Sequence, residues 1–173
     1  MILYTHLNFD SHAKSVVASC SSYIHALHHI CKVMSEDIAK TIACIVSVRL
    51  DYCNALLHGA PATTTNKLQR HKTLAQFSNQ STHQTPSRPL LQSLHWLPVQ
   101  ECIDYKVAVL TYKVQTTSTP PYLDSLLHRH INTRSLQLTN APRLVVPRTR
   151  TELARRAFSA SDPFVWNGLP KNI

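Results

Sequence analysis

Glycine occurs only twice in the 173 residues, as Gly59 and Gly168. Phosphate-cradling loops and dinucleotide-binding turns need several glycines so that the backbone can approach its ligand closely. Both are therefore excluded, and tight primed hairpins, which also lean on glycine, argue against a strand-rich fold. Acidic residues are scarce as well, with nine Asp+Glu against 18 Lys+Arg. Among Asp10, Glu36, Asp37, Asp51, Glu101, Asp104, Asp124, Glu152 and Asp162 the only adjacent pair is Glu36–Asp37. That pair sits where a helix start favours negative charge. Glu101 and Asp104 also fall in a predicted first turn. No carboxylate cluster that clamps two divalent ions is predicted, so no catalytic residue, metal ligand or cofactor is assigned.

Long apolar runs are missing too. No stretch approaches the ~20 apolar residues of a membrane span, and the opening "MILYTHLNFD" lacks the basic start and apolar run of a signal peptide. No membrane partner is expected. The five cysteines, Cys20, Cys31, Cys44, Cys53 and Cys102, form no C-x-x-C pair and lie in apolar, helix-like surroundings. This is the pattern of reduced, buried thiols in an intracellular protein, nuclear or cytoplasmic and not secreted.

What is present is positive charge and helical periodicity. A pI of about 9.6 points to polyanionic partners, nucleic acid first. With 43% hydrophobic residues the chain can bury a core. Residues 1–9 read as a short strand, and Asp10 as a helix N-cap. Val16, Val17, Cys20, Ile24, Leu27 and Cys31 recur at three- and four-residue steps, one face of an amphipathic helix. Ser35 is placed to cap a second helix, whose apolar stripe runs through Ile38, Ile42, Ile45, Val46, Cys53, Leu56 and Leu57 until Gly59 and Pro61 stop it. A weaker helix is predicted over 64–77, a loop over 78–89, and a further helix from Val99 through Ile103, Val107, Leu110 and Val114. "TTSTPP" reads as a linker and "YLDSLLHRH" as a short helix with a cationic end; "LVVP" is a candidate short strand ended by Pro147. The fold class expected is mainly α: a small helical bundle over 10–115, a short N-terminal strand over 1–9 and an irregular basic segment over 116–173.

Three stretches invite a functional reading. "CSSYIHALHHICK" places His25 and His29 on one helix face. Structural zinc sites draw ligands from two separated pairs, however, so surface histidines beside buried cysteines are expected. "SVRLDYCNALLHGAP" (47–61) crowds polar residues together. It reads as a helix end: Ile45, Val46, Cys53, Leu56 and Leu57 face the core, Arg49 lies along the edge, and Asp51 and Asn54 are exposed. The third is basic. Arginines run from Arg134 to Arg156 with Glu152 as the only acid, and Lys67, Arg70 and Lys72 form a second cluster. Such groups neutralise phosphates and release condensed cations. The residues assigned to phosphate contact are Lys67, Arg70, Lys72, Arg143, Arg148, Arg150, Arg155 and Arg156. No base-reading motif accompanies them, so contact with RNA or DNA through the backbone, without sequence preference, is expected. Trp96 and Trp166 are assigned to packing.

"VSVRLDYCNALLHGAP" resembles a hallmark segment of the reverse transcriptases of non-LTR retrotransposons, the LINE and jockey-like elements. "LNFDSHAKSVVASC", "NKLQRHKTLA", "RPLLQSLHWLPVQECIDYKVAVLTYKV", "TPPYLDSLL" and "APRLVVPRTRTELARRAFSASDPFVWNGLP" resemble the same family in the same order, over nearly the whole chain. The resemblance implies the largely helical thumb and the region after it, which contact the template–primer duplex. Residues 1–9 then correspond to the last palm strand, 10–115 to the thumb and 116–173 to the post-thumb segment. The family's catalytic aspartates lie upstream of this region and none maps here. Two departures stand out: "FSNQSTHQTPSRP" is polar where the family helix continues, and Ser161–Pro163 reads "SDP" where the family has "AAP". The implied role is nucleic-acid holding by a decayed, truncated copy without polymerase chemistry. An inert reading frame and a small protein-interaction module are the rival readings.

Overall fold

The computed structural model describes residues 9–30, 35–77, 96–130 and 143–170. Residues 1–8 of the expected strand, Cys31, the loop over 78–89, residues 90–95 and Arg134 lie outside the described residues, as does the Leu27 side chain. The fold is mainly helical, as the periodicity predicts. Among the described residues the α-helices are α1 (Asp10–Ile30), α2 (Glu36–Asp51), α3 (Ala62–Phe77), α4 (Val99–Thr117), α5 (Pro121–Asp124), α6 (Glu152–Arg155) and α7 (Phe158–Gly168), with a 3-10 turn at Asn54–Leu57. The chain divides into two compact units, Met1–Ile103 and Asp104–Ile173. The division falls inside α4 rather than at the "TTSTPP" linker, because Val99 and Ile103 are buried in the first unit's core while Val107, Ala108, Thr111 and Val114 are buried further along the same helix.

In the first unit α1, α2 and α3 pack on one another. The core is built from Ala13, Cys20 and Ile24 of α1, Val46 and Leu50 of α2, Leu57, Leu68 of α3, and Val99 and Ile103 of α4, with Phe9, Val16 and Val17 packed against it. Each fully buried Val or Leu contributes about 1.5–3 kcal/mol, so the interlocking apolar stripes, more than helix propensity, hold the three helices together. Burial of Cys20 pushes its thiol pKa above the ordinary value. His25 and His29 stand exposed on α1. Asp10 is the first residue of α1 rather than a cap outside it, and its carboxylate accepts a hydrogen bond from the Thr64 hydroxyl of α3. Ser35 does occupy the N-cap of α2, but its hydroxyl makes no capping bond.

The second apolar stripe is shorter than expected. Helix α2 ends at Asp51, where Cys53 takes the left-handed conformation (φ 56°) and breaks the helical ladder. A 3-10 turn follows, and Gly59 (φ 69°) supplies the expected left-handed stop. The break rotates the residues beyond it relative to a continuous helix. Leu57 is buried, whereas Leu56, Ile45 and Ile38, all assigned to the stripe, are exposed. Asn54, expected at the surface, is fully buried.

In the second unit the predicted helix over "YLDSLLHRH" stops at Asp124. His128 to His130 instead pair with a distant segment. The His130 amide donates to the Arg143 carbonyl (2.8 Å) and the Val145 amide to the His128 carbonyl (2.8 Å), making one antiparallel bridge between Arg129 and Leu144. "LVVP" therefore contributes a single bridge and no strand. A side chain completes that edge. Asn167 of α7 donates from Nδ2 to the Leu144 carbonyl (2.8 Å) and accepts from the Leu144 amide at Oδ1 (3.0 Å), satisfying both main-chain groups of one buried residue. Asn167→Asp keeps the accepting oxygen but sets a carboxylate oxygen against the carbonyl. A loss of about 1–3 kcal/mol in a urea titration is expected.

Candidate nucleic-acid interface

The lysines and arginine of α3 are divided by helical geometry. At about 100° per residue, Lys72 lies only about 40° around the helix from the buried Leu68, while Arg70 lies about 200° away, on the opposite side. Lys67 and Arg70 are exposed. Lys72 is not: it is 2% exposed, its Nζ 3.5 Å from an Asp51 carboxylate oxygen at the end of α2. The same Nζ donates to Cys102 Sγ of α4 at 3.3 Å and lies 6.0 Å from the centroid of the Trp96 ring. Asp51 also accepts from Asn54 Nδ2 (3.3 Å), so the residues expected on the surface form a polar knot in which Lys72 and Asn54 are buried and Asp51 is partly exposed. Lys72 is thereby removed from the phosphate-contact set. A charge turned inward on an amphipathic helix is stable only with a counter-charge in reach, and Asp51 supplies it. The four-residue spacing from Leu68 was the one signal in the sequence that pointed inward.

The remaining assigned cations are in the second unit. Arg143, Arg148, Arg150 and Arg155 are exposed. Arg155 pairs with Glu152 (3.3 Å), and both side chains are more than two-thirds exposed, so water screens the pair and leaves Arg155 available to an anion. The short helix carrying them is fixed by Thr151, whose hydroxyl accepts from the Ala154 amide at 3.1 Å. Arg156 departs from the expectation. It is half-buried, and its Nε is enclosed without a hydrogen-bond partner.

The bridge between Arg129 and Leu144 gathers basic side chains the sequence had left apart. Side chains alternate across an antiparallel pair, so His128, His130 and Arg143 share one side and the exposed Arg129 takes the other. "LVVP" is legible as a candidate strand, but no local pattern announces its pairing with His128 to His130, which are joined to it through main-chain bonds. Helix α4 adds an aromatic row. Tyr105 and Tyr112 are 62% and 57% exposed and seven residues apart, about 10.5 Å along the helix. Lys106 and Lys113, both exposed, follow each tyrosine with the same spacing. Trp166, assigned to packing, is half-buried and stacks on Tyr112 with ring centroids 6.5 Å apart and planes at 26°. The seven-residue recurrence of Tyr-Lys was visible in the sequence as two helical turns.

One acid in the second unit is deeply buried. Asp162 of α7 is 3% exposed, within 3.1 Å of the hydroxyls of both Thr111 and Ser161. Burial pushes its carboxyl up from 3.8 to about 6, and the two hydroxyl contacts offset only part of that. In the first unit burial lowers the His12 pKa.

Among the described residues no group of three or more His, Cys, Asp or Glu side chains converges as a metal site. Among them, too, no helix is long and apolar enough to cross a membrane. Comparison of the chain with protein-family models, with curated proteins and with solved structures gives no significant match in any of the three.

Proposed function

We propose that the chain is a thumb and post-thumb fragment of a non-LTR retrotransposon reverse transcriptase that holds RNA or DNA through the phosphate backbone and carries no polymerase site of its own. The observation that carries this reading is the exposure of Arg143, Arg148, Arg150 and Arg155 on one compact unit, in a chain of net charge +9. The ordered segments from "LNFDSHAKSVVASC" to "DPFVWNGLP" support the family assignment. Guanidinium groups suit the task because each offers forked donors to phosphate oxygens and stays charged at every physiological pH. Lys67 and Arg70 serve the same purpose on the first unit, and the Tyr105–Tyr112 row offers flat faces on which unpaired bases can stack.

A salt titration tests this directly. Binding to an RNA–DNA hybrid is expected to weaken linearly in log–log with salt, and Arg148→Ala with Arg150→Ala to reduce the slope by about 1 for each arginine removed. Tyr105→Ala with Tyr112→Ala is expected to weaken single-stranded RNA by about 1–3 kcal/mol per lost stack while leaving the salt slope in place. Absence of measurable binding at low salt removes the proposal and leaves an inert or protein-interacting chain.

A further inference from the structure

Lys72 and Cys102 bring an amine and a thiol together inside the first unit. Lys72 Nζ lies 3.3 Å from Cys102 Sγ, joining α3 to the first turns of α4 across 30 residues of sequence. The amine is confined. It is 2% exposed, with Asp51 at 3.5 Å on one side and the Trp96 ring at 6.0 Å on another. The sulfur is less enclosed: Cys102 is only half-buried, and its Sγ also reaches the Leu97 carbonyl at 3.5 Å. The partial exposure of Cys102 leaves it open to a small neutral oxidant, and the lysine nitrogen lies beside its sulfur.

We infer that Lys72 and Cys102 form a peroxide-responsive crosslinking site, in which hydrogen peroxide converts the adjacent amine and thiol into a sulfur–nitrogen sulfenamide bond. In the first step the Cys102 thiolate attacks one peroxide oxygen, the O–O bond breaks, and a sulfenic acid and hydroxide result. The sulfur is oxidised by two electrons and the peroxide is reduced. The hydroxide takes a proton from the neighbouring Lys72 ammonium, giving water and a neutral amine. In the second step the amine nitrogen attacks the electrophilic sulfur, the S–O bond breaks, and the departing hydroxyl leaves as water with the second amine proton. Thiol, amine and one peroxide thus give one sulfenamide and two waters. Proximity decides the outcome, because a nitrogen held beside the sulfur has an effective concentration that free thiols in solution do not match. Sulfenic acids condense with backbone nitrogen in the same way.

The full-length chain treated with hydrogen peroxide, quenched with catalase, alkylated and digested with trypsin without reductant provides the test. The expected result is an intact mass lower by two hydrogens, a peptide containing Cys102 joined to one containing Lys72, and loss of tryptic cleavage at Lys72. Dithiothreitol is expected to reverse all three. Lys72→Arg keeps the charge but removes the nucleophile, and Cys102→Ser removes the sulfur; neither should give the joined peptide. The wild-type readout stands whether or not these variants fold. Recovery of Cys102 as a sulfinic or sulfonic acid or as a disulfide, with Lys72 still cleaved, overturns the inference. So does an equal yield of the crosslink from chains oxidised in denaturing urea, since the fold would then play no part.

Discussion

Asp51→Ala is expected to lower the unfolding free energy by about 3–5 kcal/mol, while Lys72→Met costs about 1 kcal/mol or less. The asymmetry follows from where each charge sits. Lys72 is 2% exposed and Asp51 25% exposed. Removing the carboxylate strands an ammonium in the interior, with the Cys102 thiol and the Trp96 ring as its remaining polar and aromatic contacts among the described residues. It also takes the acceptor from Asn54 Nδ2, a residue with no solvent exposure whose own Oδ1 is already buried without a partner. Removing the ammonium instead leaves a carboxylate that water can reach. Methionine fills the volume of the lysine stem and packs against Trp96. Urea titrations of the two variants against the wild type make the comparison. Equal losses would show that the lysine end is solvated rather than enclosed, and would also undercut the crosslinking chemistry inferred for Cys102.

Asp162→Asn is expected to stabilise the chain by roughly 3 kcal/mol at pH 7.5 and to remove a slope in stability between about pH 4 and pH 6. The shift from 3.8 to about 6 that burial imposes corresponds to roughly 3 kcal/mol of preference for the protonated form in the folded state. The sign is fixed by proton binding. Between these values the folded chain holds a proton that the unfolded chain has lost, so stability falls as pH rises through the window and the full penalty is present above pH 6. Below 3.8 both states are protonated and the penalty vanishes.

The hydrogen-bond geometry gives the same direction independently. A hydroxyl carries one hydrogen. The Thr111 hydroxyl faces both the Val107 carbonyl (2.9 Å) and an Asp162 carboxyl oxygen (3.1 Å). The Ser161 hydroxyl faces both the Ala157 carbonyl (3.0 Å) and the other carboxyl oxygen (3.1 Å). An ionised Asp162 must draw each hydrogen away from a main-chain acceptor. A protonated carboxyl donates to one hydroxyl and lets that hydroxyl keep its carbonyl. Asparagine does the same through its amide at every pH. Thermal or urea unfolding across pH 4–8 is the measurement, and a wild-type curve flat between pH 4 and pH 6 would contradict the burial of this carboxyl. The "SDP" sequence at Ser161–Pro163 is thus a source of pH sensitivity that apolar residues at the same positions could not produce.

The sequence alone determined the local order. The steps of three and four residues fixed α1, the body of α2 and α4, because amphipathic periodicity is written into consecutive residues and each helix needs only its own stretch to declare itself. Gly59 fixed the stop before α3, since the left-handed conformation there favours a residue without Cβ. The basic excess was fixed by composition. Tertiary structure decided which polar groups went inside. Asn54 was read as exposed and is buried, Lys72 was read as a phosphate contact and is paired with Asp51, and Ile45 was read as core and is exposed. His128 to His130 left the helix for a bridge with residues 143–145. For Lys72 and for His128 to His130 the reason is the same. Whether a charge, an amide or a strand edge can be buried depends on a partner supplied by another part of the chain, and no local pattern in the sequence records which partner the fold brings.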